Sequence, residues 1–123
     1  MYPLLLLAAA LAPSAPQTRA EVDVAQDRGP QEVLVQTREI PAGGSSGWHV
    51  HPGVEISTVL SGVTEVSVGT APPRRVAAGE TITIPSGVPH MASATADGPA
   101  ELILTFVVDK GAPLRTPVVA PQP

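Results

Sequence analysis

Hydrophobic and polar residues along this chain change places every few positions, and turn-forming residues interrupt them at short intervals. Gln31–Ile40 contains Val33, Leu34 and Val35 and then alternates, which predicts a strand. Residues 48–51 and 54–60 predict a short and a longer strand, separated by Pro52 and Gly53. Further strands are predicted at 63–68, 74–77, 81–84, 90–94 and 101–108, each bounded by Gly, Pro, Ser or Asp. No stretch keeps a helical period over the length a helix needs. About eight short strands with closely spaced turns predict an all-β sandwich, jelly roll or barrel.

The two ends read differently from the middle. Residues 4–12 are a continuous apolar run that fits the core of a secretory signal. It is shorter than the roughly 20 residues that span a bilayer. Small residues follow it. Pro16 disfavours cleavage after Ala15, so cleavage after Ala20 is expected, giving a signal peptide over 1–20 and an exported, periplasmic or secreted protein. Residues 21–30 are polar and end in Gly29-Pro30, a linker, and the domain is expected over 31–110. Residues 111–123 are proline-rich and without period, a tail expected to be flexible or to wrap the surface.

Composition narrows the classes. The formal net charge is −4, and Arg74-Arg75 is the only adjacent basic pair. There is no basic stripe with interleaved aromatics, so nucleic acid is not an expected partner. The acidity does not favour anionic membranes. Cysteine is absent, which excludes thiolate metal sites, a thiol nucleophile, disulfides and a lipoprotein anchor. A domain of some 80 residues buries a lower fraction of its surface than a larger one; metal binding and homodimer formation are two ways to offset that.

All three histidines fall at informative positions. His49 and His51 are two apart, so on a strand they point to one face. Glu55 opens the next strand after the Pro52-Gly53 turn, and His90 follows the Pro85-Ser86-Gly87-Val88-Pro89 turn. Taken singly, each is as easily a hydrogen-bonded or solvated residue.

The spacing Gly43, His49, His51, Glu55, Gly62 resembles the first conserved motif of the cupin superfamily, and Gly79, Pro85, Gly87, His90 resembles the second. Ala94 stands where the second motif commonly ends in Asn. The resemblance implies a small antiparallel jelly-roll β-barrel holding one divalent transition metal on His49, His51, Glu55 and His90. A set of three imidazoles and a carboxylate suits Mn, Fe(II), Ni, Cu(II) or Zn. It also implies structural roles for Gly62, Gly79, Gly87 and Pro85.

Two function classes stay open, beside a weaker third, a metal-stabilised structural domain that works only as a dimer. One is a metal-dependent dioxygenase acting on an enolizable or aromatic small molecule, with Glu55 as general base. The other is a small-molecule-binding or sensing module without turnover. The expected cavity wall is Ser57, Val59, Thr81, Thr83, Ala92, Ile103 or their neighbours. Trp48 is either at the cavity mouth or an ordinary aromatic beside the turn.

Overall fold

The structure is a computed structural model that describes residues 19–123. The apolar run at 4–12 lies outside the described residues, while Arg19 and Ala20 beside the expected cleavage point are exposed and irregular. Among the described residues there is no helix, and hence none long and apolar enough to cross a membrane. The fold is all-β.

Among the described residues, alternation builds nine strands in two antiparallel sheets. They are β1 (Gln31–Ile40), β2 (His49–Val50), β3 (Gly53–Ser61), β4 (Val63–Val68), β5 (Arg74–Ala77), β6 (Thr81–Ile84), β7 (His90–Ala94), β8 (Ala100–Asp109) and β9 (Thr116–Pro117). One sheet has the order β1-β8-β3-β6, the other β5-β4-β7-β2-β9. The chain passes back and forth between the sheets, as a jelly roll does. The inner faces bury Ile40, Val59, Val66, Val76, Ile82, Leu102, Leu104, Phe106 and Val108 as one core.

Two glycines decide how tightly the strands run. A Cβ at Gly53 would sit 2.0 Å from the Val107 carbonyl oxygen, so only glycine lets β3 start flush against β8. Gly62 has φ +77°, and a Cβ there would meet the Pro99 carbonyl at 2.3 Å. Gly79 and Gly87, also expected as turn residues, have positive φ too. β6 ends at Ile84, directly before Pro85, as expected. Between Val59 and Ser61 the register of β3 on β8 slips, and Leu60 at the slip is exposed.

The segment after Lys110 wraps and does not stay free. It returns as β9 alongside β2, pairing His49 with Pro117 and Val50 with Thr116. The Val118 N–H also donates to the Trp48 carbonyl. Backbone pairing carries this short ladder and leaves no hydrophobic period in the sequence, which is why the alternation alone closes the domain at Lys110. Residues 21–30 are irregular, and Arg28 ties them to the barrel through Ser86 and Asp109.

Candidate metal centre

The site forms where the two sheets face each other. His49 on β2 stands directly opposite His90 on β7. His51 follows β2 two residues after His49, so its ring reaches the same side. Glu55 enters from the other sheet, on β3, between Ile84 and Phe106 of the flanking strands. All four side chains are buried. The turn before His90 is hooked to this end of the barrel by the Gly87 N–H, which donates to the His51 carbonyl.

The three rings are oriented alike. The Nδ1–H of His49 donates to the Gly47 carbonyl at 2.7 Å, that of His51 to the Leu114 carbonyl at 2.6 Å, and that of His90 to the Val88 carbonyl at 2.9 Å. A carbonyl can only accept, so each Nδ1 carries the proton and a neutral ring keeps its Nε2 lone pair free. Fixing the outer ring nitrogen on a backbone acceptor is how proteins aim an imidazole at a metal. The rings pack with centroids 4.3 to 4.9 Å apart. Phe106 lies edge-on to His51 at 4.7 Å and limits its rotation.

The Nε2 atoms of His51 and His90 each lie 3.0 Å from Glu55 Oε2. With Nδ1 protonated, hydrogen bonds there would require both rings to be imidazolium. A cation among them removes that requirement. Bonds of about 2.1 Å at right angles put neighbouring ligand atoms about 3.0 Å apart. The ligand atoms of all four residues lie within 4.8 Å of one another, so His49, His51, Glu55 and His90 could hold one metal ion.

Electrostatics agrees with that use. Burial lowers the His49 pKa from 6.5 to about 4; His90, His51 and Arg115 add to this, against the Gly47 carbonyl, so the ring is neutral near pH 7. Burial alone would raise Glu55, but without a cation in the cluster hydrogen bonds and charge from His51 and His90 outweigh it and hold the carboxyl at about 2. Glu55 is therefore an anion at neutral pH, suited to ligating and poorly suited to taking a proton while so held.

A family model described as "Cupin domain" matches residues 36–108. This chain belongs to the cupin family. Among solved structures, the cupin resembles the DMSP lyase DddQ from Ruegeria pomeroyi DSS-3, at 29% identity and TM-score 0.64 over 70% of this chain and 43% of that one. It resembles an oxalate oxidase bound to the substrate analogue glycolate, at 28% identity and TM-score 0.57 over 60% of this chain and 41% of that one. It also resembles TT1209 from Thermus thermophilus, at 26% identity and TM-score 0.56 over 63% of this chain and 74% of that one. The cupin thus spans under half the length of the first two. No curated protein matches its sequence.

Above the ligand cluster is a cavity of about 80 Å³. Ser57 and Ala92 line it as expected, but Val59, Thr81, Thr83 and Ile103 do not. Directly paired residues share a face, so Ile82 opposite Ser57 and Leu104 on its other side take the inward positions. That parity puts Thr81, Thr83 and Ile103 on the other face, while Val59 joins the core further along β3. Trp48 is half-buried and is not part of the wall, so it is the ordinary aromatic of the two readings. The sequence reading missed Gln36, Arg38, Leu114 and Arg115. Gln36 and Arg38 share parity with buried Ile40 on β1, a signal that was available once Ile40 was placed inward. Nothing in the tail marked Leu114 or Arg115.

Proposed function

We propose that this cupin is an exported protein that holds one divalent transition metal on His49, His51, Glu55 and His90 and uses it to bind and oxidise a small enolizable molecule with O₂. The observation that carries the reading is the placement of an N₃O ligand set at the floor of a cavity whose rim residues Gln36, Arg38 and Arg115 are exposed. The metal would supply Lewis acidity, and four protein ligands leave positions for small molecules. Size selects within the substrate class. A cavity of about 80 Å³ is small beside the roughly 300–1,000 Å³ of sites that take drug-sized ligands. That favours a small enolizable molecule over a multi-ring aromatic. Likeness to an oxalate oxidase and a DMSP lyase, both named for small substrates, points the same way.

In this role the chain's residues do three things. The three carbonyls at Gly47, Leu114 and Val88 hold the imidazoles in one tautomer. Leu102, Leu104, Phe106 and Ile84 keep bulk water from the floor. Glu55 serves first as an anionic ligand, and as a general base only in a state where His51 and His90 release it. The test is elemental analysis of the native protein, then oxygen uptake with a panel of small enolizable acids and ketones. Metal-dependent uptake is expected; a loaded protein inert to the whole panel would contradict turnover.

One observation favours the second reading, a binding module. Among the described residues, no acid or base other than the ligands themselves and two arginines lines the cavity. Calorimetric binding without uptake would select it. Export rests on the apolar run at 4–12, and the first residue of the processed protein should be Glu21. A homodimer is the oligomeric form we favour, because β1 is a ten-residue edge strand with Val33 and Val35 exposed. Sedimentation at low concentration checks it.

A further inference from the structure

The cavity wall is mostly apolar, Ser46 and Ser57 apart, and its rim carries one sign of charge. Leu102, Leu104, Phe106, Ile82 and Ile84 make the sides. The charged residues other than the ligand cluster are Arg38 and Arg115. This is an acidic chain with only seven Lys and Arg in all against eleven Asp and Glu, so chance alone would favour an acid there. Two of its scarce cations instead meet at one small opening.

Each arginine reaches the rim for a definable reason. Arg38 lies on β1 between Gln36 and Ile40 on the inward parity, opposite Leu102 of β8. The same inward parity carries Leu34 and Ile40, so two polar residues, Gln36 and Arg38, stand between apolar ones on the face toward the cavity. Polar side chains in that position have no use in a packed core. Arg115 comes from the segment between β8 and β9. Its guanidinium donates to the Ser46 carbonyl and lies over Gly47, where a Cβ would meet its Nη2 at 3.6 Å. Gly47 is the residue whose carbonyl orients His49. A guanidinium has five N–H donors, and the bond to Ser46 uses one, so the fork stays available to a bound anion.

From this we infer that the cavity takes a small carboxylate, with Arg115 and Arg38 as the residues that recognise its charge and the C-terminal segment as the part of the chain that delivers the first of them. The inference rests on the metal-site reading above and adds the substrate class to it. An apolar wall excludes competing water, a cationic rim draws an anion in, and a planar guanidinium matches a carboxylate in two parallel hydrogen bonds. Gln36 beside Arg38 adds an amide donor at the same rim. Arg38 and Arg115 act here as binding residues, separate from the four metal ligands.

The experiment uses the full chain loaded with Zn²⁺, which is redox-inert and prevents turnover during calorimetry. Two probes of the same size are compared, glycolate and its neutral amide, glycolamide. Wild-type protein should prefer glycolate. Arg115→Gln should weaken glycolate by about tenfold, the scale of a hydrogen bond to a charged group, and leave glycolamide nearly unchanged. Arg115→Lys should recover part of the loss. The double variant Arg38→Gln/Arg115→Gln should bind the two probes alike, with zinc still stoichiometric. If the double variant holds its zinc and keeps the wild-type preference, the carboxylate is recognised by the metal alone and the inference is wrong, while the metal site stands. If the arginine variants lose zinc, the two residues support the metal site and do not read the ligand, which also overturns it. If wild-type protein takes up no zinc and no other divalent transition metal, it is the underlying metal reading that fails.

Discussion

The two sides of the metal centre are built in opposite ways. Glu55 stands on a sheet of long ladders, with β1 paired to β8 over ten residues and β3 paired to both β8 and β6. His49 and His51 stand at a two-residue strand, β2, held by β7, β9 and individual carbonyls. The long side is an apolar wall whose position is over-determined by side-chain packing. The short side has little apolar surface and depends on hydrogen bonds that reach it from the carbonyls of Gly47 and Leu114. Changes on the long side should therefore cost folding stability first, and changes on the short side should cost metal affinity first.

The largest effect belongs to the long side. Phe106 is 1% exposed and touches His51, so Phe106→Ala should destabilise the barrel by about 3–5 kcal/mol in chemical denaturation. If its cost is small and metal affinity alone collapses, the two sides do not differ in this way. On the short side, His51→Ala removes a ligand from a cavity that offers no substitute. Metal affinity should fall by more than about 100-fold. The melting temperature should drop most when metal is present, because binding at 100 times Kd contributes about 2.7 kcal/mol. Metal-free wild type and variant should differ by less, through the loss of the His51 contacts with Glu55 and Phe106.

These two outcomes bear on how far the sequence could be read. Strands of both sheets were legible, because period-two alternation and buried β-branched residues leave their mark in the sequence. β1, β4, β5, β6 and β7 have the predicted limits. The four clustered residues were legible too, from spacing and from the resemblance to cupins. The inward face of β6 and β8 was taken one residue out of phase, at Thr81, Thr83 and Ile103, because a two-sided apolar strand does not reveal its parity until a paired residue fixes it. The C-terminal contribution was hidden for another reason. Leu114 acts through its carbonyl and β9 through its backbone, and backbone chemistry is the same for nearly every residue type.

A shorter chain sharpens the comparison. Truncation after Ala112 removes the carbonyl that holds His51 and the β9 ladder. Metal affinity should fall about 10–100-fold, as for loss of a group that orients a ligand, while the barrel stays folded. Titration with a competing chelator measures it. Acid should act on the short side before the long one. His49 sits at about 4 in the fold against 6.5 ordinarily, and Glu55 at about 2 against 4.5. Between the paired values the unfolded chain binds more protons, so stability present above pH 6.5 is lost as the pH falls, through His49 down to about pH 4 and through Glu55 below about 4.5. Metal release should follow the same direction, because protons compete for the imidazoles. Denaturation midpoints and metal content across that range test the sign. Smallest of all, Val119→Thr, at a residue 88% exposed after β9, should change stability by less than about 0.5 kcal/mol.

The claim on which the rest depends is that His49, His51, Glu55 and His90 bind one ion together. Metal per chain, measured by elemental analysis on wild type and on His90→Ala after equal exposure to metal and gel filtration, tests it most directly. The account predicts about one ion per wild-type chain and near-complete loss in the variant, since the variant keeps its barrel but has one nitrogen fewer to offer. Full occupancy in His90→Ala would place the ion elsewhere and contradict the account.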